Sequence, residues 1–258
     1  TYDEHFGIAL GHYNSKRYKL AELEFKKILI DKKNYFDPVS HLMLAKSQYF
    51  QNKIIECQRT CNSYLNKYPK SKYEVFVRVL LSDIFIDKEK YSNVLDQLLP
   101  IRNEAKDSII QHDIDYRILS SIMVGVKSSK IEQLLFSSEN IINRSILNLA
   151  RSYRSFLDGK MNDMELSLSV IDSEILPGVY KNLFNGLDRF VGVENSTHST
   201  VAVILPLSGV DKLKGQTFLM GLSGMVVDYQ YDLATHFKIY DNNSNDIKTL
   251  KILKAINM

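Results

Sequence analysis

Residues 54–64, Ile54-Ile55-Glu56-Cys57-Gln58-Arg59-Thr60-Cys61-Asn62-Ser63-Tyr64, decide the architecture once they are aligned with two other stretches of the chain. Ile54, Cys57, Cys61 and Tyr64 have counterparts in Tyr18, Ala21, Phe25 and Ile28, and again in Tyr91, Val94, Leu98 and Ile101. Upstream, Ala9, Ala45 and Ser82 form a column of small residues, and every column steps by 36 and then 37 residues. Positions three and four apart share one face of a helix. A small residue on the preceding helix lets two helices approach closely. Short polar turns separate the two helices of each unit: Asn14-Ser15-Lys16-Arg17, Gln51-Asn52-Lys53 and Asp87-Lys88-Glu89-Lys90. Pro69 stops the helix that carries the quoted stretch. The pattern predicts three α-helical hairpins.

The pattern resembles the tetratricopeptide repeat, with Ala45, Cys57 and Pro69 the fullest match. It departs from that family in period, which is about 34 there. His5, His41 and Arg78 stand where the family places a large aromatic, and Ala or Ser replaces its Gly. The junction Tyr68-Pro69-Lys70-Ser71-Lys72-Tyr73 resembles one common in tetratricopeptide proteins of the bacterial cell envelope. Helical periodicity continues beyond residue 106 in Ile114, Ile118, Ile122 and Val126, then in Ile142, Ile146, Leu149 and Tyr153. Met164, Leu166, Leu168 and Ile171 follow the turn 158–163, and residues 179–191 read as one more helix after Pro177-Gly178. Degenerate hairpins are expected towards the end of a repeat array, which buries its core by stacking neighbours.

The last sixty residues change character. Residues 192–199 are polar and aperiodic and read as a linker. Thr200 to Leu205 is a short β-rich run ending in Pro206-Leu207-Ser208-Gly209. A helix is expected over 214–230, a second strand over 236–240, and a last helix capped by Asp246 that carries Ile247, Leu250, Leu253 and Ile256. Strand, helix, strand, helix is the opening of a parallel sheet. The segments VAVILPLSG, KGQTFLMGL and FKIYDNNSNDIKTLKILKAI resemble the first lobe of type I periplasmic binding proteins, the branched-chain amino-acid receptor kind. The expected fold is mostly α: a tetratricopeptide-like α-solenoid over 1–191, a linker over 192–199, and a partial α/β (β-α-β-α) lobe over 200–258. That lobe is cut off at Met258, so the chain is expected to be a fragment or to carry a vestigial domain. Two strands are marginal alone, so the segment is expected to be disordered, packed on the helices, or paired with another chain.

Composition narrows the function. The 258 residues are 45% hydrophobic and 24% charged, with a net charge of +3, and no basic run forms a phosphate-binding stripe, so nucleic acid is not an expected partner. No stretch approaches the roughly 20 apolar residues of a transmembrane helix. Thr1 to His5 is not a signal peptide and reads as a mature or trimmed N-terminus. No cofactor or metal is expected. Cys57 and Cys61 have no second pair to complete a zinc site and read as small packed residues, and the six histidines show no metal spacing. Gly215, Gly221 and Gly224 match neither phosphate-binding glycine pattern, no nucleophile elbow occurs, and Asp113 and Asp115 point to different helix faces. The chain is therefore expected not to be an enzyme.

What remains is binding. Tyr2, Tyr13 and Tyr49 lie on first helices, the side that lines the groove of helical repeats, and are the candidate protein-binding residues. Ser208 and Gly209 at one strand end and Asp241 at the other stand where the binding-protein family places ligand contacts, which the resemblance makes candidates for a small solute if the α/β domain is complete. Helical repeats ahead of such a lobe also resemble the outer-membrane lipoproteins that activate penicillin-binding peptidoglycan synthases. That resemblance implies an envelope scaffold or regulator at the periplasm or the periplasmic face of the outer membrane, carried as a processed lipoprotein. The alternative it leaves open is a solute-binding receptor of an ABC-type transport or sensing system.

Overall fold

A computed structural model describes residues 2–30, 36–192, 199–228 and 235–256. The fold is mostly α, with thirteen helices and two strands among the described residues. Contacts divide the chain into two compact units, residues 1–88 with 103–105 and residues 89–102 with 106–258.

The first unit holds α1 (Tyr2–Asn14), α2 (Tyr18–Ile30), α3 (Asp37–Phe50), α4 (Ile54–Lys67) and α5 (Glu74–Asp87), each packed on the next. Its second helices begin where the repeat places them, at Tyr18 and Ile54. The column residues are its core: Ala9, Ala21, Phe25, Ile28, Ala45, Cys57, Cys61, Tyr64 and Ser82 are each at most 2% exposed. Full burial of a Phe or Ile side chain contributes about 1.5–3 kcal/mol, so Phe25 and Ile28 are substantial contributors to the unit's stability, beside Leu81 and Ile84 of α5. Pro38 in the first turn of α3 suits a position whose N–H has no helical partner.

The turns repeat as well. Lys16, Asn52 and Glu89 all have positive φ, at 58°, 60° and 57°, and each stands two residues before the next helix. In the first two turns the left-handed residue donates its N–H three residues back, Lys16 to Tyr13 O (2.9 Å) and Asn52 to Tyr49 O (2.9 Å). The following residue reaches five back, Arg17 to His12 O (2.8 Å) and Lys53 to Gln48 O (2.9 Å). This Schellman pairing satisfies helix-end carbonyls and sets a fixed angle between the helices.

Glu22, on α2, ties the first hairpin to the second turn. Its carboxylate accepts from Lys26 Nζ (2.7 Å), Lys53 Nζ (2.6 Å) and Gln51 Nε2 (2.8 Å). Burial pushes its pKa up, but these three bonds outweigh burial and hold it at about 2, below the ordinary 4.5. A depressed folded value means that the unfolded chain binds the proton more readily. The contribution of Glu22 is therefore complete above pH 4.5 and is lost as pH falls towards about 2. Glu22→Gln is expected to lower stability at neutral pH and to flatten the acid limb of a stability–pH curve over that interval. Parallel curves for the two proteins, measured by urea unfolding at each pH, would contradict this.

The second unit holds α6 (Tyr91–Leu98), α7 (Ser108–Gly125), α8 (Ser128–Ser137), α9 (Ile141–Leu157), α10 (Met161–Ser169) and α11 (Gly178–Asp188), then β1 (Ser199–Leu205), α12 (Lys212–Asp228), β2 (Thr235–Asp241) and α13 (Asp246–Ile256). Asp107 caps α7 by accepting from the N–H groups of Ile109 and Ile110, and Asn140 caps α9 by accepting from that of Asn143. The turn between α9 and α10 repeats the Schellman geometry, with Gly159 at φ 71°. Gly159 donates to Phe156 O (3.0 Å) and Lys160 to Ser155 O (2.8 Å). β1 and β2 pair in parallel, from Ser199 opposite Thr235 to Leu205 opposite Asp241. They do not stand alone: α12 packs on α11 and β2 on α7.

Several expectations need correction. Leu166 was counted with the apolar face of its helix, but it is 67% exposed, because the buried face of α10 is set by Met161, Met164 and Leu168. The last helix is capped by Asn245, whose Oδ1 accepts from Lys248 N at 3.0 Å, while Asp246 is already the first helical residue. Ile247, Leu250, Leu253 and Ile256 are all exposed. α11 ends at Asp188, before Phe190. Ser199, read as linker, begins β1, and linker residues 193–198 lie outside the described residues.

Candidate functional site

The parallel register brings Leu205 beside Asp241, so the loops after both strands leave the same edge. There the structure brings Ser208, Gly209 and Asp241 together. Asp241 Oδ1 accepts from the N–H groups of Leu207 (3.0 Å), Ser208 (3.2 Å) and Asn243 (2.8 Å). Its Oδ2 is 2.6 Å from Ser208 Oγ, which also lies 3.0 Å from Asn243 Oδ1. Ser244 Oγ donates to Ser208 O (2.9 Å) and accepts from Asp211 N (2.9 Å). Ser208 and Asp241 are both buried. Both oxygens of the Asp241 carboxylate are thus engaged in holding one loop to the other.

Two glycines make this contact possible. Gly209 has φ +80°, and a Cβ there would lie 2.6 Å from Asn243 O. A Cβ on Gly215 would lie 2.2 Å from Pro206 O, so α12 can start this close to the β1 loop only with glycine at that position. Asn243 and Ser244 are the partners that the sequence reading missed. The available signal was the run Asp241-Asn242-Asn243-Ser244-Asn245, since Asn tolerates the left-handed conformation that Asn243 adopts at φ 54°. The start of α12 packs against this edge, where the N–H of Asp211 is taken by Ser244 Oγ (2.9 Å) and those of Lys214 and Gly215 by Asp211 O (2.9 and 3.3 Å).

In the first unit, Tyr13 and Tyr49 meet through Phe50. The Tyr13 ring lies edge-on to Tyr18 at 5.5 Å and to Phe50 at 6.1 Å, and Tyr18 stacks on Phe50 at 4.9 Å. Tyr49 lies 5.7 Å from Phe50 and donates to Asp87 Oδ2 at 2.8 Å. Burial, together with the nearby Asp83 and Asp87, pushes the Tyr49 phenol far above its ordinary range. Phe50, the centre of the cluster, is 54% exposed. Tyr18 and Phe50 were not among the sequence candidates. The side chain of Tyr2 lies outside the described residues.

Among the described residues no group of three or more His, Cys, Asp or Glu side chains could hold a metal ion. No helix among them is long and apolar enough to cross a membrane.

The class defined so far is a mostly α-helical chain of repeated hairpins with a parallel β-α-β-α segment. No family model matches the sequence, and no curated protein matches it. Among solved structures it is similar to Haemophilus influenzae LpoA in two crystal structures. In the monoclinic form the identity is 11% and the TM-score 0.47, and in the full-length protein they are 11% and 0.46. Each alignment covers 98% of this chain and 46% of the other, so the chain spans about half the length of the structures it matches.

Proposed function

We propose that this chain is a non-enzymatic scaffold of a bacterial cell envelope, holding protein partners through its helical hairpins, and that it activates peptidoglycan synthesis. The observation that carries the binding part is the half-open aromatic cluster of Tyr13, Tyr18, Tyr49 and Phe50. Aromatic anchors of this kind dominate protein–protein binding energies. They suit a partner helix or extended segment that presents large apolar side chains. The activator part rests on the order of the sequence, tetratricopeptide-like repeats over 1–191 ahead of a type I binding-protein-like lobe opening at 200. The parallel pairing of β1 with β2 supports that lobe. A solute receptor would need ligand-facing acceptors at the strand ends, and the full engagement of Asp241 disfavours it.

The test uses the whole chain and purified penicillin-binding synthases from the same organism. The chain is expected to bind one of them and to raise its glycan polymerisation rate. Tyr13→Ala with Phe50→Ala is expected to weaken that binding by about tenfold or more, the loss of one or two aromatic anchors. Binding to none of the synthases would remove the activator reading. Unchanged binding by the double variant would remove the aromatic cluster from it.

A further inference from the structure

α8, α9, α10 and the turn between the last two enclose a surface recess of about 340 Å3. It falls at the small end of the roughly 300–1,000 Å3 that ligand sites occupy. Its lining carries Arg151, Arg154 and Lys160 on one side of the charge balance and Glu132, Asp158 and Asp163 on the other.

One of these groups is already held for use. Arg151 Nε donates to Ser167 Oγ (2.9 Å), and one terminal nitrogen donates to Asn148 Oδ1 (2.9 Å). The other terminal nitrogen stands 3.6 Å from Glu132 Oε2, an ion pair too long to be a good hydrogen bond. The Arg154–Asp158 pair is equally loose at 3.6 Å. The guanidinium of Arg151 is therefore oriented, its ordering cost is met within the fold, and it keeps N–H groups to donate. Arg154 lies three residues on, on the same face of α9. Unlike most ligand sites the recess is dominated by charge, and the two signs are equal in number. A ligand with one sign of charge would leave the opposite set unmatched. A zwitterion would match both, its carboxylate against the arginines and its ammonium against the carboxylates.

We infer that this recess binds a small zwitterion of the amino-acid or short-peptide class, with Arg151 and Arg154 taking the carboxylate. The site is independent of the aromatic cluster in the first unit and of the strand-end latch.

The experiment titrates the whole, isotope-labelled chain with the dipeptide Ala-Ala, and separately with N-acetyl-Ala-Ala and with Ala-Ala amide, following backbone amide shifts. Ala-Ala is expected to shift amides within 128–167 saturably, with a Kd of about 1 mM or below, and each blocked form to bind about tenfold more weakly or worse. Arg154→Gln is expected to reduce Ala-Ala affinity by about tenfold. Arg151→Gln should do the same, and the amide spectrum of α9 shows whether that variant keeps its fold. Three results would overturn the inference: no saturable shift by about 20 mM, equal binding of either blocked form, or unchanged affinity in the Arg154 variant.

Discussion

Replacing Asp115 with alanine is expected to destabilise the second unit by about 3–5 kcal/mol, the cost of leaving a buried charge without its partner. Asp115 and Arg102 are each 3% exposed. They form a two-pronged pair, Arg102 Nε to Asp115 Oδ1 at 2.5 Å and Arg102 Nη2 to Asp115 Oδ2 at 2.9 Å. The fully buried Tyr180 adds a third bond from its hydroxyl to Asp115 Oδ1 at 3.0 Å. Removing the carboxylate takes the two-pronged partner from the buried guanidinium and leaves the Tyr180 hydroxyl its weaker bond to the backbone oxygen of residue 115 at 3.3 Å. In a domain of this size the loss corresponds to a fall in Tm on the order of 10 °C. Arg102→Met with Asp115→Leu removes both charges together and is expected to recover much of the loss, because buried pairs often do no better than apolar replacements of similar volume. A loss below about 1 kcal/mol in Asp115→Ala would show that water reaches the pair.

Asp241→Ala is the second large effect, and it is local. The substitution removes the acceptor for three backbone N–H groups and the Ser208 hydroxyl. Hydrogen bonds to a charged group contribute about 1.5–3 kcal/mol, and each buried donor left unmatched costs about 1–3 kcal/mol. The expected result is about 3 kcal/mol or more, read as lost hydrogen-exchange protection at Leu207, Ser208 and Asn243 before the helices of the unit open. Asp241→Asn should lose much less. Its remaining oxygen can keep the three N–H bonds, and its amide can donate to Ser208 Oγ, which can then donate to Asn243. Equal loss in the two variants would mean that charge, not geometry, holds the loops together.

The hairpins were legible in the sequence because their determinants are local. A small residue at 9, 45 and 82, and apolar residues spaced along one helix face, state which side is buried before any partner is known. The turns were legible in position but not in conformation. Lys16, Asn52 and Glu89 adopt the left-handed region without being glycine, and only Gly159 carries the usual signal. The parallel pairing of the two strands was legible in the β-α-β pattern, but the contact of Ser208 with Asp241 was not, because the two were read only as separate strand-end residues. Arg102 and Asp115 could not be paired in advance. They lie thirteen residues apart, one outside any helix and one within α7, and only the tertiary fold brings them together. Nor could periodicity say that the apolar stripe of α13 is uncovered, because an amphipathic pattern specifies a face and not its neighbour.

The two thiols in the first unit have a practical consequence. Cys57 and Cys61 are free and buried one helical turn apart on α4. The hydrogen bond that the protonated Cys61 thiol donates to the Cys57 sulfur, together with burial, pushes Cys61 well above the ordinary range. Reaction with a soluble thiol reagent requires the thiolate, and therefore requires α4 to leave its neighbours first. The chain contains no tryptophan and no other cysteine. Its alkylation rate is thus a clock for the opening of the first unit alone, silent to everything that happens in the second, and it needs no engineered probe.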